Sequence, residues 1–207
     1  VFLLLLSGVL AYAGKEFSKP EARAAATYPA HDSHPDEKVT VAIDPYDTEQ
    51  KADIFSVSYA EHGYLPVFLV ITNDGDEAVS LPALKAQWVT GRRDKLMPAT
   101  VDDLYRRLSK PKRNDTQTIP LPLPRRGKVK GAVGAQALEE LDRAMFAARA
   151  VEPHSTQAGF LFFDVSGVSS PLAGAHFYLS GLRNASGNEL IYFEIPLEKY
   201  LEPGRKP

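Results

Sequence analysis

From residue 38 onward, apolar and polar positions alternate in short runs, the two-residue period of half-buried strands. Val39, Val41 and Ile43 alternate with Thr40 and Ala42, and residues 54–59 (IFSVSY) offer a second strand. The run LPVFLVITN (65–73) is apolar at both parities. Val67, Leu69 and Ile71 lie on one face, Phe68 and Val70 on the other. A strand of this kind needs cover on both sides and belongs in the middle of a packed sheet. The turn NDGD (73–76) follows, with Gly75 expected to supply a positive φ and AVSL (78–81) expected to pair back. AQWVT (86–90) is the next strand, closed by a turn at Gly91.

After residue 150 the pattern returns. GFLFFDVSG (159–167) is apolar on both faces, and AHFYLSGL (175–182) sets Phe177 and Leu179 against His176 and Tyr178. ELIYFEIPL (189–197) places Ile191, Phe193 and Ile195 opposite Leu190, Tyr192 and Glu194. The turn sequences SGVSSPLAG (166–174) and RNASGN (183–188) separate these runs. About seven or eight short strands at this spacing predict a mainly β fold, an antiparallel β-sandwich.

A helical period interrupts the strands between residues 97 and 150. In MPATVDDLYRRL, Thr100 with Asp103 three positions on forms a capping box. Val101, Leu104, Tyr105 and Leu108 then make one stripe. A second helix is expected over 135–149, with Leu138, Leu141, Met145 and Ala148 on its apolar face. Asp102/Asp103 and Glu139/Glu140 read as charges that complement helix dipoles. The two helices are expected to sit in one insertion, partly disordered, within a domain spanning 38–197. Residues 198–207 are left as a C-terminal tail.

The amino-terminal end changes the picture of where the protein works. Val1 to Leu10 is an apolar run followed by Ala11-Tyr12-Ala13 before Gly14, the form of a secretory signal with its n-region truncated (residues 1–13). That run is well short of the ~20 apolar residues of a membrane span, so no transmembrane anchor is expected after cleavage. Cysteine is absent, which excludes disulfides, thiol catalysis and the acylated cysteine of a lipoprotein. The expected localisation is periplasmic or secreted. Residues 14–37 are polar and without a period, and read as a flexible leader.

The leading strand, GYLPVFLVITNDGD, VEPHSTQAGFLFFDV and the final ELIYFEIPL resemble uncharacterised exported bacterial proteins with an immunoglobulin-like β-sandwich. The resemblance covers roughly 38–90 and 150–197 and implies a fold rather than an activity.

Candidate chemistry is sparse. His31, Asp32 and His34, in AHDSHPDE (30–37), offer imidazole and carboxylate ligands of the kind that hold Zn²⁺, Ni²⁺ or Cu²⁺. They support an alternative reading as a metal-dependent enzyme or metal carrier, the one cofactor the sequence suggests. His62, His154 and His176 read as turn or sheet-surface residues. Trp88 with Arg92 and Arg93 reads either as a sugar- or anion-binding patch or as a core tryptophan beside a turn. Glu194 is expected to be partly buried and paired with an arginine. The serines lack a nucleophile elbow, and no phosphate loop, dinucleotide fingerprint or calcium loop is present.

Charge is the last asymmetry. Residues 106–130 carry nine Lys or Arg against Asp115, a net +8, which leaves −10 on the rest of a chain whose net charge is −2. Lys110, Lys112, Arg113, Arg125, Arg126, Lys128 and Lys130 are the candidate anion or partner contacts on a proline-rich segment with polyproline II character. Aromatic residues, which stack on single-stranded nucleic acid, are absent from it. Nucleic acid is therefore not an expected partner. An anionic envelope polymer, lipid headgroups or a protein partner are. Together these features predict an exported, non-enzymatic binding or scaffolding module at the bacterial cell envelope.

Overall fold

A computed structural model describes residues 17–109 and 135–201. Within them the protein is mainly β, with ten strands in three antiparallel sheets and few helices. The first sheet holds β1 (Ala30–His34), β2 (Val39–Pro45), β3 (Tyr64–Asn73) and β8 (Ser155–Asp164), in that order. The second has the order β10 (Phe193–Pro196), β9 (His176–Ser180), β5 (Lys85–Val89), β6 (Lys95–Leu96). A short pair, β4 (Val79–Ser80) with β7 (Ala150–Val151), forms the third.

All ten residues of β3 are buried, as the two-faced apolar pattern predicts. Leu65, Val67, Leu69 and Ile71 enter one core cluster with Trp88, Phe177, Leu179, Phe193 and Ile195 of the second sheet. Tyr64, Phe68 and Val70 face the opposite way, into an aromatic layer of Phe17, Phe55, Tyr59, Phe160 and Phe162. Leu104 of α2 (Val101–Leu108) and Leu141 of α3 (Ala135–Ala144) complete that layer. Phe55 is its hub, stacked on Phe17 at 5.5 Å and edge-on to Tyr59 at 5.1 Å and Phe160 at 5.0 Å.

This second layer corrects the leader. Residues 17–37 are anchored to the fold: Phe17, Ala25, Tyr28 and Ala30 are buried, and the Ala25 N–H donates to Thr72 Oγ1 at 2.8 Å. β1 pairs with β2 along its whole length. Its sequence AHDSH hides the strand because the alternation is carried mostly by polar side chains at a sheet edge. Residues 54–59 form no strand. Phe55 and Tyr59 are four positions apart and both turn into the aromatic layer, ahead of a 3-10 turn at Ala60–His62. α1 (Glu49–Ala52) precedes them, capped by Thr48.

The turn after β3 also differs. Gly75 does not adopt a positive φ, and β4 pairs with β7 rather than back on β3. Buried Asn73 organises the turn instead. Its Oδ1 accepts the Gly75 N–H at 2.9 Å, and its Nδ2 donates to the carbonyls of Glu77 (2.8 Å) and Val151 (3.0 Å). These bonds spend the side chain's capacity on backbone groups, and they pull the chain away from a hairpin.

The capping box at Thr100 and Asp103 forms as expected. Of the α2 stripe, Leu104 and Leu108 are buried while Val101 and Tyr105 remain exposed. Arg107 pins the helix, donating to both carboxylate oxygens of Asp164 (2.5 and 3.4 Å) and to Ser166 Oγ at 2.8 Å. Burial works to raise the Asp164 carboxyl, but the Ser166 and Arg107 donors outweigh it and hold it below its ordinary value. α3 stops at Ala144, short of the expected 149, because Met145 and Phe146 turn extended against β8. No helix among the described residues is long and apolar enough to cross a membrane.

Both ends of the helical insertion therefore land on the open edge of β8. The Ala99 N–H donates to Phe162 O at 2.7 Å and the Phe146 N–H to Phe160 O at 3.0 Å. Gly159 permits the second contact, since a Cβ there meets Phe146 Cα at 2.5 Å and Phe146 N at 2.7 Å. Backbone cannot swing aside as a side chain can. Gly159→Ala is expected to cost about 1–3 kcal/mol, read as a lowered denaturant midpoint. An unchanged midpoint contradicts this packing.

Candidate functional site

The residues proposed from sequence as metal ligands separate in the fold. Asp32 and His34 share one face of β1, and His31 lies on the other, its Nδ1–H donating to Tyr28 O at 2.6 Å. His34 Nδ1 donates to Glu37 Oε2 at 3.0 Å, its Nε2 lies 3.5 Å from Asp32 Oδ2, and its ring stacks on Phe193 at 4.0 Å. The two carboxylates accept backbone N–H groups across the sheets, Asp32 from Glu194 and Glu37 from Ile191, each at 3.0 Å. These groups close the edge between β1 and β10. Among the described residues, no group of three His, Cys, Asp or Glu is placed to hold a metal ion.

Trp88 is wholly buried, with Nε1–H donating to Pro171 O at 2.8 Å. It is a core residue and not part of a surface patch with Arg92 and Arg93. Those two arginines stand on the turn between β5 and β6. Lys110, Lys112, Arg113, Arg125, Arg126, Lys128 and Lys130 lie outside the described residues, as does the signal segment 1–13.

Helix pattern alone misplaced one acid. Glu140 is 1% exposed and accepts from Ser56 N–H (2.8 Å), from Ser56 Oγ and from Tyr59 OH (3.2 Å). Burial, with the charge and hydrogen bond of Glu140 behind it, pushes the Tyr59 phenol far up. The buried stripe of α3 is 137, 140, 141 and 144, and the acid on it is the signal that marks an anchor. Three donors from residues 56–59 converge on the carboxylate, so it ties α3 to that loop. Glu140→Ala strands them and is expected to destabilise by about 1–3 kcal/mol in equilibrium unfolding; a loss within error rules out the anchor.

The outer face of the second sheet differs from both faces of the first. The first sheet is covered on both sides, whereas here one side is core and the other is open. Strand register sets the outward residues in cross-strand rows, with Lys85 opposite Ser180 at one end and two further rows beside it. Glu194, Tyr178 and Gln87 make one, and Pro196, His176, Val89 and Lys95 the other. Glu194 fixes its neighbours from the sheet edge. Its Oε1 accepts from Tyr178 OH at 2.6 Å and from His176 Nδ1 at 2.9 Å. The sequence reading expected an arginine partner; cross-strand adjacency supplies a tyrosine and a histidine. The His176 and Tyr178 rings lie nearly parallel at 6.2 Å, and the exposed Tyr192 ring sits 6.3 Å beyond Tyr178.

An open cleft of about 620 Å³ runs along this face, lined by Gln87, Val89, Arg93, Lys95, His176 and Tyr178. The turn at residues 90–94 builds one end. Thr90 Oγ1 accepts the N–H groups of Arg92 (3.3 Å) and Asp94 (3.1 Å), and Arg93 N–H donates to Thr90 O at 2.8 Å. Gly91 sits against the carbonyl of Ala173, 2.6 Å from where a Cβ would stand. The left-handed residue of the turn is Arg93, at φ +69°. What the arrangement offers is fixed hydrogen-bonding groups, aromatic rings and cations on a flat support.

Comparison with protein-family models, with curated proteins and with solved structures finds no match.

The hydrogen bond to Glu194, then partial burial and the carboxylate's charge, push the Tyr178 phenol up to about 12. The unfolded phenol titrates near 10. Between those two pH values only the folded state keeps this proton, so the contribution to stability is full below about pH 10 and is lost as pH rises toward 12. Phenolate absorbance should show Tyr178 ionising well above the ordinary value, and Glu194→Gln should bring it down. An identical titration curve for that variant contradicts the pairing.

Proposed function

We propose that the protein is an exported, non-enzymatic binding or scaffolding module of the bacterial cell envelope, built as an immunoglobulin-like β-sandwich. The open outer face of the second sheet carries this reading, because the other large sheet faces are packed against protein. The immunoglobulin-like form is supported by two four-stranded antiparallel sheets over one core and by a chain that crosses between them after β3, β6 and β8. A fully buried tryptophan on β5, next to Phe163 and Phe177, fits that form. Export rests on the apolar run and the A-x-A site at residues 1–13. The basic segment 110–130 is a second contact for an anionic envelope polymer, lipid headgroups or a protein partner. The metal reading is disfavoured, because Asp32 and His34 are engaged in closing a sheet edge and His31 points away from them.

Protein recovered from the envelope fraction is expected to begin at Gly14 by mass spectrometry. Immobilised full-length protein is expected to retain envelope material, and retention should fall when Gln87→Ala and Tyr192→Ala are combined. Both side chains sit on the sheet surface, so the fold survives their loss. Equal retention by the double variant and by a chain lacking 110–130 would overturn the reading.

A further inference from the structure

The protein's excess of acid makes unpaired cations informative. Outside residues 106–130 the chain carries ten more negative than positive charges. Lys38, Lys51, Arg143 and Arg183 each have a carboxylate partner there. Lys19, Arg23, Lys85, Arg92, Arg93, Lys95 and Arg149 do not: among the described residues none of them forms an ion pair. Three of these seven, Lys85, Arg93 and Lys95, are gathered on this one open face. Lys85 points outward at one end of β5, and Arg93 and Lys95 line the cleft at the other. Lys95 stands opposite Val89, four residues from Lys85, so the cationic ends are separated by about 13 Å at ~3.3 Å per residue.

Between those ends the face is uncharged apart from the internally paired His176 and Glu194. It presents the Gln87 amide and the Tyr178 ring, with Tyr192 beyond. Arg93 adds a second observation. At φ +69° an L-residue is held about 1 kcal/mol above a glycine, yet the position is an arginine that lines the cleft.

We propose that the outer face of the second sheet binds a carboxylated sugar polymer, with carboxylates at Arg93 and Lys95 and at Lys85, and sugar rings along Gln87, Tyr178 and Tyr192. The proposal rests on the reading of the protein as a binding module and names the ligand class of that face. A polymer bearing repeated carboxylates among hydroxyls matches a strip that is cationic at its ends and amide and phenol in the middle. Glu194 holds Tyr178 and His176 in place before the ligand arrives, which lowers the ordering cost of binding. An acidic peptide meets the cations too, but leaves the aromatic and amide middle without a matched partner. A lipid chain finds little there, since Val89 is the one aliphatic side chain lining the cleft.

The test is calorimetric titration of the full-length protein with a short oligogalacturonate at low salt. A neutral malto-oligosaccharide of the same length and a poly-glutamate peptide are run beside it. The oligogalacturonate is expected to bind, more weakly as sodium chloride is raised. The malto-oligosaccharide and the peptide are expected to bind at least tenfold more weakly. Arg93→Gly combined with Lys95→Gln should weaken oligogalacturonate binding on the order of tenfold or more. Glycine suits the left-handed turn, so the thermal midpoint should hold and the loss reads on binding alone. Three results overturn the proposal: no oligogalacturonate binding, equal affinity for poly-glutamate, or a double variant that binds like the parent. If the first occurs while Gln87→Ala with Tyr192→Ala still abolishes retention of envelope material, the ligand class is wrong and the binding module stands. If retention is also unaffected, both fail.

Discussion

Burial of β3 on both faces is the constraint from which the rest of the architecture follows. Ten consecutive buried residues cannot be satisfied by one partner sheet. One parity is covered by the second sheet, through Trp88, Phe177 and Ile195. The other parity recruits what lies elsewhere in the chain: Phe17 from the amino-terminal segment, Phe55 and Tyr59 from the loop after β2, Leu104 and Leu141 from the insertion helices. Segments that look dispensable in sequence are thus held because the central strand needs a second cover.

A sheet covered on both faces still has edges, and both edges of this one are occupied. Residues 99 and 146 donate to β8, so the insertion is stapled at its two ends to the same strand. On the other side, Asp32 and Glu37 accept N–H groups from β10 and from the residues just before it, and His34 lies flat on Phe193. Polar residues serve here because an edge presents unpaired backbone donors, and ionised carboxylates are strong acceptors for them. The same acceptors that resemble metal ligands in sequence are used up in joining two sheets.

The consequence for function is a matter of elimination and then of chemistry. With the first sheet enclosed and its edges engaged, the outer face of the second sheet is left to solvent. Its groups are not a random polar surface. Glu194 binds two neighbouring side chains through one oxygen, and the turn at 90–94 fixes Arg93 beside them. Rigid support, aromatic rings and unpaired cations are the features on which the proposed binding role rests.

Periodicity alone determined a good part of this. The split of β3 into Val67, Leu69 and Ile71 against Phe68 and Val70, the capping box at Thr100 and Asp103, and the alternation of β9 are all local. Pleat and helix geometry fix which neighbours share a face whatever surrounds them. What lay beyond local pattern was decided by partners distant in sequence. β1 is a strand only because β2 offers it a ladder. Glu140 is buried only because Ser56 and Tyr59 supply its donors. Trp88 and Arg93, five residues apart and plausible as one patch, point to opposite sides of the second sheet. Arg93 instead joins His176 and Tyr178, more than eighty residues away, because antiparallel register places β9 beside β5. Side-chain chemistry is written in the sequence, but which chemistries meet is set by strand pairing, and that is long-range.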